Sequence, residues 1–246
     1  MATFSDLLAR RIGDDPGRPL VTYYDLETGE RVELSVTTYA NWVAKTASLL
    51  ADEHDLERGA TLRIDLPAHW LGPVFLGAAW LLGLAVTVRD EPDAVVTGPD
   101  GLERWAPYAA RIPVLACALR PLGVRFTEPL PAGFHDVGVE VWSQPDGYAP
   151  VDPPSGADTA TQGVTGGLTH DELWSEAAVG SSLADGGRLL AVANPASPSG
   201  LAAFVEPFAR SGSLVLVSAP EGPLDVSRLE RIAADERCTD RFLGLD

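Results

Sequence analysis

No residue from Leu66 to Val88 carries a formal charge, and this uncharged stretch limits the folds that the chain can adopt. Its length satisfies the criterion for a helix that spans a membrane. However, two prolines and three glycines interrupt it, and neither flank carries the basic cluster that orients an inserted helix. We therefore predict a buried helix that ends at Gly83, followed by a buried strand over Leu84–Val88. The chain is not expected to span a membrane.

The remaining apolar residues recur with helical and strand periods in alternation. Helices are predicted behind Thr3, from Thr38, behind Thr169 (whose Glu172 completes a capping box), over Leu201–Arg210 and from Val226. At Pro207 the fourth of these is expected to kink or end. Strands that alternate with helices predict an α/β fold with a mostly parallel sheet and helices on both faces. The predicted strands are Leu20–Tyr24, Arg31–Leu34, Thr61–Leu66, Ala94–Thr97, Val114–Ala118, Val137–Trp142, Leu189–Ala193 and Leu214–Val217.

Proline and glycine are concentrated in residues 145–167, where large apolar residues are scarce. Such composition is typical of a loop. The helix and strand periodicities resume after it. We expect residues 1–246 to form a single domain with a Pro/Gly-rich loop at 145–167.

The formal net charge of −17 and the pI of about 4.5 describe an acidic surface. Such a surface repels phosphate backbones and anionic lipids, so neither nucleic acid nor a membrane is an expected partner. Cys117 and Cys238 belong to no C-x-x-C motif, and the first residues lack the basic start and apolar run of a signal peptide. These features predict free thiols and a cytoplasmic protein.

Catalytic patterns of other enzyme classes are missing from the sequence. The four histidines (His54, His69, His135 and His170) show no H-x-x-x-H or H-E-x-x-H spacing, so no metal site is expected. There is no G-x-S-x-G motif, and Ser197 and Ser199 are interpreted as loop residues.

A glycine-rich motif is the strongest functional signal. The chain contains Thr161-Gln162-Gly163-Val164-Thr165-Gly166-Gly167-Leu168-Thr169-His170. This resembles the phosphate loop of adenylate-forming (AMP-binding) enzymes, T-S-G-T-T-G-x-P-K-G-V-x-L-T-H, the family of acyl-CoA synthetases, peptide-synthetase adenylation domains and luciferases. Further segments resemble other family motifs in the same order: Thr38–Trp42, Gly59–Ile64, Leu66–Ala68, Leu82-Gly83 and Pro195–Gly200.

The resemblance covers the N-terminal half of a family member and implies a degenerate phosphate loop. Gln162 and Val164 replace a serine and a threonine, the P-K-G segment is missing, and the only lysine is Lys45. The adenine motif, the ribose-binding aspartate and the small C-terminal domain with its catalytic lysine are not in the sequence. Adenylation needs positive charge on the developing oxyanions. The resemblance therefore implies that the chain has no catalytic residues and binds no cofactor. The alternative is that it binds ATP or AMP as a cofactor. The residues it implies for nucleotide binding are Thr161, Gly163, Thr165, Gly166 and Gly167.

Two functions stay open at this point. The first is a pseudoenzyme, a non-catalytic binding or interaction protein that cannot activate acids with ATP. Loss of the covering half should expose apolar surface, so a homodimer or another protein partner is expected. The second is a half-enzyme or repurposed enzyme that binds a nucleotide or an acyl ligand, with or without completion by a partner chain. The incomplete adenylation motifs favour the first.

Overall fold

A computed structural model of the protein describes residues 3–163, 166–219 and 223–243. Helices and strands alternate along these residues, and helices flank mostly parallel sheets, which confirms the predicted α/β class. The α-helices are α1 (Phe4–Asp14), α2 (Val36–Ser48), α3 (Leu71–Leu82), α4 (Leu102–Trp105), α5 (Val137–Glu140), α6 (His170–Gly180), α7 (Ala202–Ala209) and α8 (Val226–Asp235). A π-helix (Leu49–Glu53) extends α2, and short 3₁₀ turns span Pro99–Gly101, Pro121–Gly123 and Val141–Ser143.

The strands form two sheets, where the sequence predicted one. They are β1 (Pro19–Asp25), β2 (Arg31–Ser35), β3 (Thr61–Asp65), β4 (Ala85–Thr87), β5 (Ala94–Thr97), β6 (Val114–Ala116), β7 (Phe134–Asp136), β8 (Thr159–Gln162), β9 (Leu168–Thr169), β10 (Arg188–Ala191), β11 (Ser213–Ser218) and β12 (Asp240–Phe242). The five-stranded sheet has the order β12-β10-β11-β1-β2, and the seven-stranded sheet has the order β7-β6-β5-β3-β4-β8-β9. In each sheet the last strand of this order, β2 or β9, runs antiparallel to its neighbour.

The uncharged stretch forms α3 and β4, as predicted. Every residue of α3 except Leu81 is buried, and Gly83 ends the helix in the left-handed conformation with φ of +75°. Helix α3 packs closely on α2, because a Cβ atom on Gly77 would lie 2.3 Å from the Tyr39 hydroxyl oxygen. That hydroxyl donates to the carbonyl of Pro73 at 2.9 Å. None of the helices in the described part of the chain is long and apolar enough to cross a membrane.

Aromatic side chains from five helices meet in the main apolar core, which also contains residues of both sheets. Their rings contact one another at centroid distances of 5.1–6.5 Å. Aromatic pairs at such distances add stabilisation beyond the area they bury. The six rings are Phe4, Tyr39, Trp80, Trp174, Phe204 and Phe208.

Three local predictions need correction. Residues 137–142, predicted as a strand, form α5 and a 3₁₀ turn, because the Asp136 side chain caps the helix by accepting from the Gly138 N–H at 3.0 Å. The segment 145–167 is not loop throughout, since it contains β8. Helix α7 continues past Pro207 to Ala209, so the alternative of an early end at Pro207 was wrong. The predicted capping box at Thr169 is confirmed, and the predicted helix start behind Thr3 also has a capping box, formed with Asp6.

Candidate functional site

The glycine loop, defined as residues 163–167, joins β8 to β9 and leads into α6. Gly163, Gly166 and Gly167 have φ of +77°, +93° and +89°, a conformation that side-chain-bearing residues rarely adopt. Thr161 is buried in β8, and its hydroxyl oxygen accepts from the Leu168 N–H at 3.1 Å across the base of the loop. Thr165, the remaining predicted binding residue, lies outside the described residues, as does Val164. The described part of the loop thus has three glycines in the left-handed conformation, while the Thr161 side chain serves the fold.

The start of α6 already carries an anion. The Glu172 carboxylate accepts from the backbone N–H of Thr169 at 2.9 Å and from its hydroxyl at 2.8 Å. These bonds lower the pKa of Glu172. A helix N-terminus attracts a phosphate through its free N–H groups and positive dipole end. Here the chain's own carboxylate occupies part of that position.

Positive charge near the loop comes from an arginine that the sequence did not identify. Lys45 is engaged elsewhere, where its ammonium donates to the Gln144 carbonyl and pairs with Asp146 at 3.0 Å. Arg89 follows β4, and a Cβ atom on Gly163 would lie 3.6 Å from its Cγ and 3.9 Å from its Nε. The two residues are neighbours because Thr87 and Gln162 are paired in the parallel register of β4 and β8.

A small crevice lies beside β3 in the same sheet. Strands β4 and β5 lie on opposite sides of β3, and ligands of parallel α/β sheets bind outside the carboxyl ends of strands at such a reversal. The crevice has a volume of about 300 Å³ and extends from Asp65–Pro67 to Gly98–Gly101 and Arg104. Asp65 accepts from the Trp105 indole at 2.6 Å and from Arg104 at 3.4 Å. The crevice thus has two carboxylates, Asp65 and Asp100, of which Asp65 is held by hydrogen bonds, and one exposed guanidinium.

The segment that resembles the family's acyl-pocket motif forms a tight turn. The Ser197 hydroxyl donates to the Asn194 carbonyl at 2.8 Å and accepts from the Gly200 N–H at 3.1 Å. The Asn194 amide donates to the Leu66 carbonyl at 2.7 Å. Ser197 therefore has a structural role, in agreement with its interpretation as a loop residue. Next to this turn, an apolar groove of about 310 Å³ runs between α6 and α7 and is lined by Leu168, Leu173, Ala177, Leu201 and Val205.

Two histidines are buried near these elements. His69 is 3% exposed, its Nδ1 accepts from the Leu71 N–H at 3.2 Å, and burial lowers its pKa to about 4. His170 is fully buried, and neither ring nitrogen has a hydrogen-bond partner among the described residues. Burial lowers the pKa of His170 as well. Both imidazoles are neutral in the folded protein at pH 7.

The buried His69 predicts a loss of stability in mild acid. Below pH 6.5 the unfolded chain takes up a proton at this imidazole, whereas the folded chain does so only near its pKa of about 4. Stability is therefore full above pH 6.5 and falls as the pH drops from 6.5 to 4, by roughly 3 kcal/mol from this group. Urea unfolding of the wild type and of His69→Asn across this range checks the prediction. The variant should lose less stability, and equal slopes for the two proteins would contradict it.

The other two histidines meet at one carboxylate, outside any local sequence motif. His54 Nε2 lies 3.2 Å from Glu140 Oε2, and His135 Nδ1 lies 3.2 Å from Glu140 Oε1. The imidazole rings of His54 and His135 are 4.3 Å apart. Burial, and to a lesser extent His135, lowers the pKa of His54. Sequence spacing could not reveal this cluster, because only the fold brings residue 54 to residues 135 and 140.

Comparison with known proteins defines the class. No family model matches the sequence. The protein superposes on the crystal structure of the Brucella canis acyl-CoA synthetase with a TM-score of 0.76 at 18% sequence identity. The superposition covers 98% of this chain and 47% of the synthetase. The fold is therefore that of an acyl-CoA synthetase over about half its length. This confirms the fold that the resemblance to adenylate-forming enzymes implied.

A sequence relative then gives the family. A Mycobacterium tuberculosis (strain ATCC 25618 / H37Rv) protein with the name "TIGR03089 family protein" is 35% identical over 233 residues, which are 92% of this chain and 91% of that protein. The chain belongs to the TIGR03089 family.

Proposed function

We propose that this protein is a non-catalytic adenylate-forming-like protein that serves as a binding or interaction module and does not activate acids with ATP. The observation that carries the proposal is the glycine loop without lysine, in a chain whose single lysine is bonded to Gln144 and Asp146. Removing one positioned donor from a catalytic site costs on the order of 10²–10³ in rate. The phosphate-loop motif lacks the lysine and two hydroxyl residues of the family. The combined loss of rate is therefore expected to abolish ATP-dependent acid activation.

A protein partner fits the exposed apolar side chains near α5. Trp142 is 53% exposed, Val139 is 52% exposed and Val124 is 42% exposed. The backbone of Val124 runs next to α5, since its carbonyl carbon lies 2.5 Å from a Cβ atom placed on Gly138. Large exposed apolar residues that lie together are typical of interaction surfaces. They favour a second copy of this chain or another protein as the binding partner.

Two measurements test the proposal. Pyrophosphate exchange with a panel of carboxylic acids should show no activity. Thermal unfolding with ATP–Mg²⁺, AMP or a non-hydrolysable acyl-adenylate analogue at millimolar concentration should show no shift. A ligand at 100 times its Kd would stabilise the fold by about 2.7 kcal/mol and raise the Tm by about 5–10 °C. Acid-dependent exchange in the purified protein would overturn the proposal.

The second candidate is a nucleotide-binding half-enzyme, and Arg89 is the observation that favours it. Its guanidinium stem lies against Gly163, at the entrance to a loop whose described glycines keep left-handed backbones. An arginine can bind phosphate oxygens in place of a lysine. If ATP or AMP raises the Tm of the wild type but not of Arg89→Ala, this candidate replaces the first. Arg111→Ala is the matched control, because Arg111 is an exposed arginine that stacks on Tyr108 in a different part of the chain.

A further inference from the structure

We propose that His54, His135 and Glu140 form a binding site for one divalent transition-metal ion, with Zn²⁺ as the ion that fits best. We refer to the three residues as the histidine cluster. Each offers one ligand atom, and these atoms all lie within 4.8 Å of one another. The site is separate from the glycine loop, so the inference does not depend on the proposed function.

The distances in the cluster match the spacing that zinc imposes on its ligands. Zinc binds imidazole nitrogen at 2.0–2.1 Å and carboxylate oxygen at 2.0–2.2 Å in tetrahedral geometry, so two ligand atoms lie about 3.3 Å apart. Each imidazole nitrogen lies 3.2 Å from one oxygen of Glu140, His54 Nε2 from Oε2 and His135 Nδ1 from Oε1, and all three ligand atoms lie within 4.8 Å of one another. Small rotations of the side chains would therefore bring all three ligand atoms around one ion.

The donor set selects the class of ion. Two imidazoles and one carboxylate suit zinc and its neighbours in the first transition row, whereas Mg²⁺ and Ca²⁺ take oxygen ligands. Three protein ligands with a fourth position for water is the arrangement found where zinc keeps an open coordination site. The exposure of the side chains agrees with such an arrangement. The His54 side chain is 4% exposed, whereas the side chains of His135 and Glu140 are 40% and 31% exposed. The site is therefore open to solvent on one side.

Secondary structure places the ligands and favours a cation. His54 directly follows the π-helix that extends α2, and π-helical turns are frequent at functional sites. The carbonyls at a helix C-terminus also stabilise positive charge. Glu53 lies close enough to act electrostatically on His54, and the whole chain is acidic. His135 lies on the edge strand β7, and the cap at Asp136 turns the chain so that Glu140 returns to it.

Metal binding would tie the end of α2 to the β7–α5 segment, which is 81 residues further along the chain. The competing interpretation is a hydrogen-bonded triad, in which each imidazole donates one N–H to the carboxylate. The two interpretations differ in affinity for metal and in the response to substitution. Glu140→Gln removes the charge and keeps the shape, so it separates them.

The test is a titration of the full chain, freed of metal by a chelator, with Zn²⁺ against a chromophoric competitor. The expected result is one ion per chain with a Kd of about 1 µM or below. We expect Glu140→Gln and His135→Ala to weaken binding by roughly 100-fold or more, since even outer-shell substitutions cost 10–100-fold. Co²⁺ should give visible absorption bands that both variants lose, and circular dichroism confirms that both fold.

The control variants are Cys238→Ser and His69→Asn, which remove a partly exposed thiol and an imidazole outside the cluster. Both should bind Zn²⁺ as the wild type does. Binding that survives in Glu140→Gln, binding that is lost in Cys238→Ser, or wild-type affinity only in the millimolar range would overturn the proposal. Each of these outcomes would leave the cluster as a hydrogen-bonded triad.

Discussion

Replacing Arg11 with alanine should lower the free energy of unfolding by about 3–5 kcal/mol, because each buried carbonyl left without its donor costs roughly 1–3 kcal/mol and the packing of the side chain is lost as well. Arg11 is 5% exposed and lies on α1. Its guanidinium donates to the carbonyls of Pro207 at 3.5 Å and Phe208 at 3.2 Å, and also to the carbonyl of Gly212. It also stacks over the Phe208 ring, 5.4 Å from its centroid.

The size of this effect follows from the end of α7. The last carbonyls of a helix have no partner within the helix, and here a buried arginine satisfies them. Burial lowers the pKa of Arg11 to about 10, so the side chain stays charged at pH 7. The positive charge also faces the negative end of the α7 dipole. Alanine would remove this donor from the carbonyls of Phe208 and Gly212 and leave a cavity between α1 and α7, whereas the Pro207 carbonyl would still accept from the Gly212 N–H at 2.7 Å.

Guanidinium denaturation followed by tryptophan fluorescence measures this change. Arg10→Ala is the matched control, because Arg10 is the exposed neighbour on the same helix and donates to the Asp6 carbonyl within that helix. The control should change stability by less than about 0.5 kcal/mol. Equal stabilities for the two variants would show that the carbonyls of α7 find water or other donors.

Trp80→Ala is the second large effect, with an expected loss of about 3–5 kcal/mol. The Trp80 ring is fully buried and lies 5.2 Å from Trp174, 6.2 Å from Phe4 and 6.4 Å from Phe204. Its indole N–H donates to the Ala160 carbonyl at 3.0 Å. Ala160 precedes Thr161 in β8, so this side chain supports the strand that leads into the glycine loop.

Two further variants divide the effect of Trp80. Trp80→Phe keeps an aromatic ring and removes the indole donor. About 1–3 kcal/mol of the stability that this variant loses should therefore come from the unpaired Ala160 carbonyl. Trp142→Ala, at an exposed tryptophan, should cost less than about 1 kcal/mol. Thermal unfolding compares the three proteins. A small effect of Trp80→Ala would mean that neighbouring aromatic residues refill the cavity.

Sequence patterns predicted the elements whose signals are local. The α3 helix and its end at Gly83 follow from apolar composition and from the left-handed conformation that glycine adopts there. The caps at Thr3 and Thr169 follow from a hydroxyl and a carboxylate three residues apart. These interactions lie within one turn of helix, so neighbouring residues determine them.

The errors arose where distant residues decide the structure. Strand β8 contains small side chains such as Ala160 and lies in a segment rich in proline and glycine. Its two central residues are nevertheless buried, because β4 pairs with the strand and Trp80 donates to the Ala160 carbonyl. Residues 137–142 contain β-branched valines, which favour strands, but the Asp136 cap starts a helix there.

The same reasoning applies to the candidate site. The glycine loop could be found because its residues are consecutive, whereas the position of Arg89 depends on the register between β4 and β8. The histidine cluster is harder still, because His54 and His135 are brought together by tertiary packing alone. Neither the contact between Arg89 and the glycine loop nor the contact between His54 and His135 can be recognised from residue spacing.

The pairing of β1 with β11 has a consequence for folding during synthesis. Val21 to Asp25 align with Leu214 to Ser218, and β1 lies inside the five-stranded sheet, between β2 and β11. At roughly 5–20 residues per second, a ribosome needs about 10–40 s to add the residues between these two strands. During that interval the N-terminal hairpin keeps one unpaired, apolar edge, which is the kind of surface that chaperones protect from aggregation.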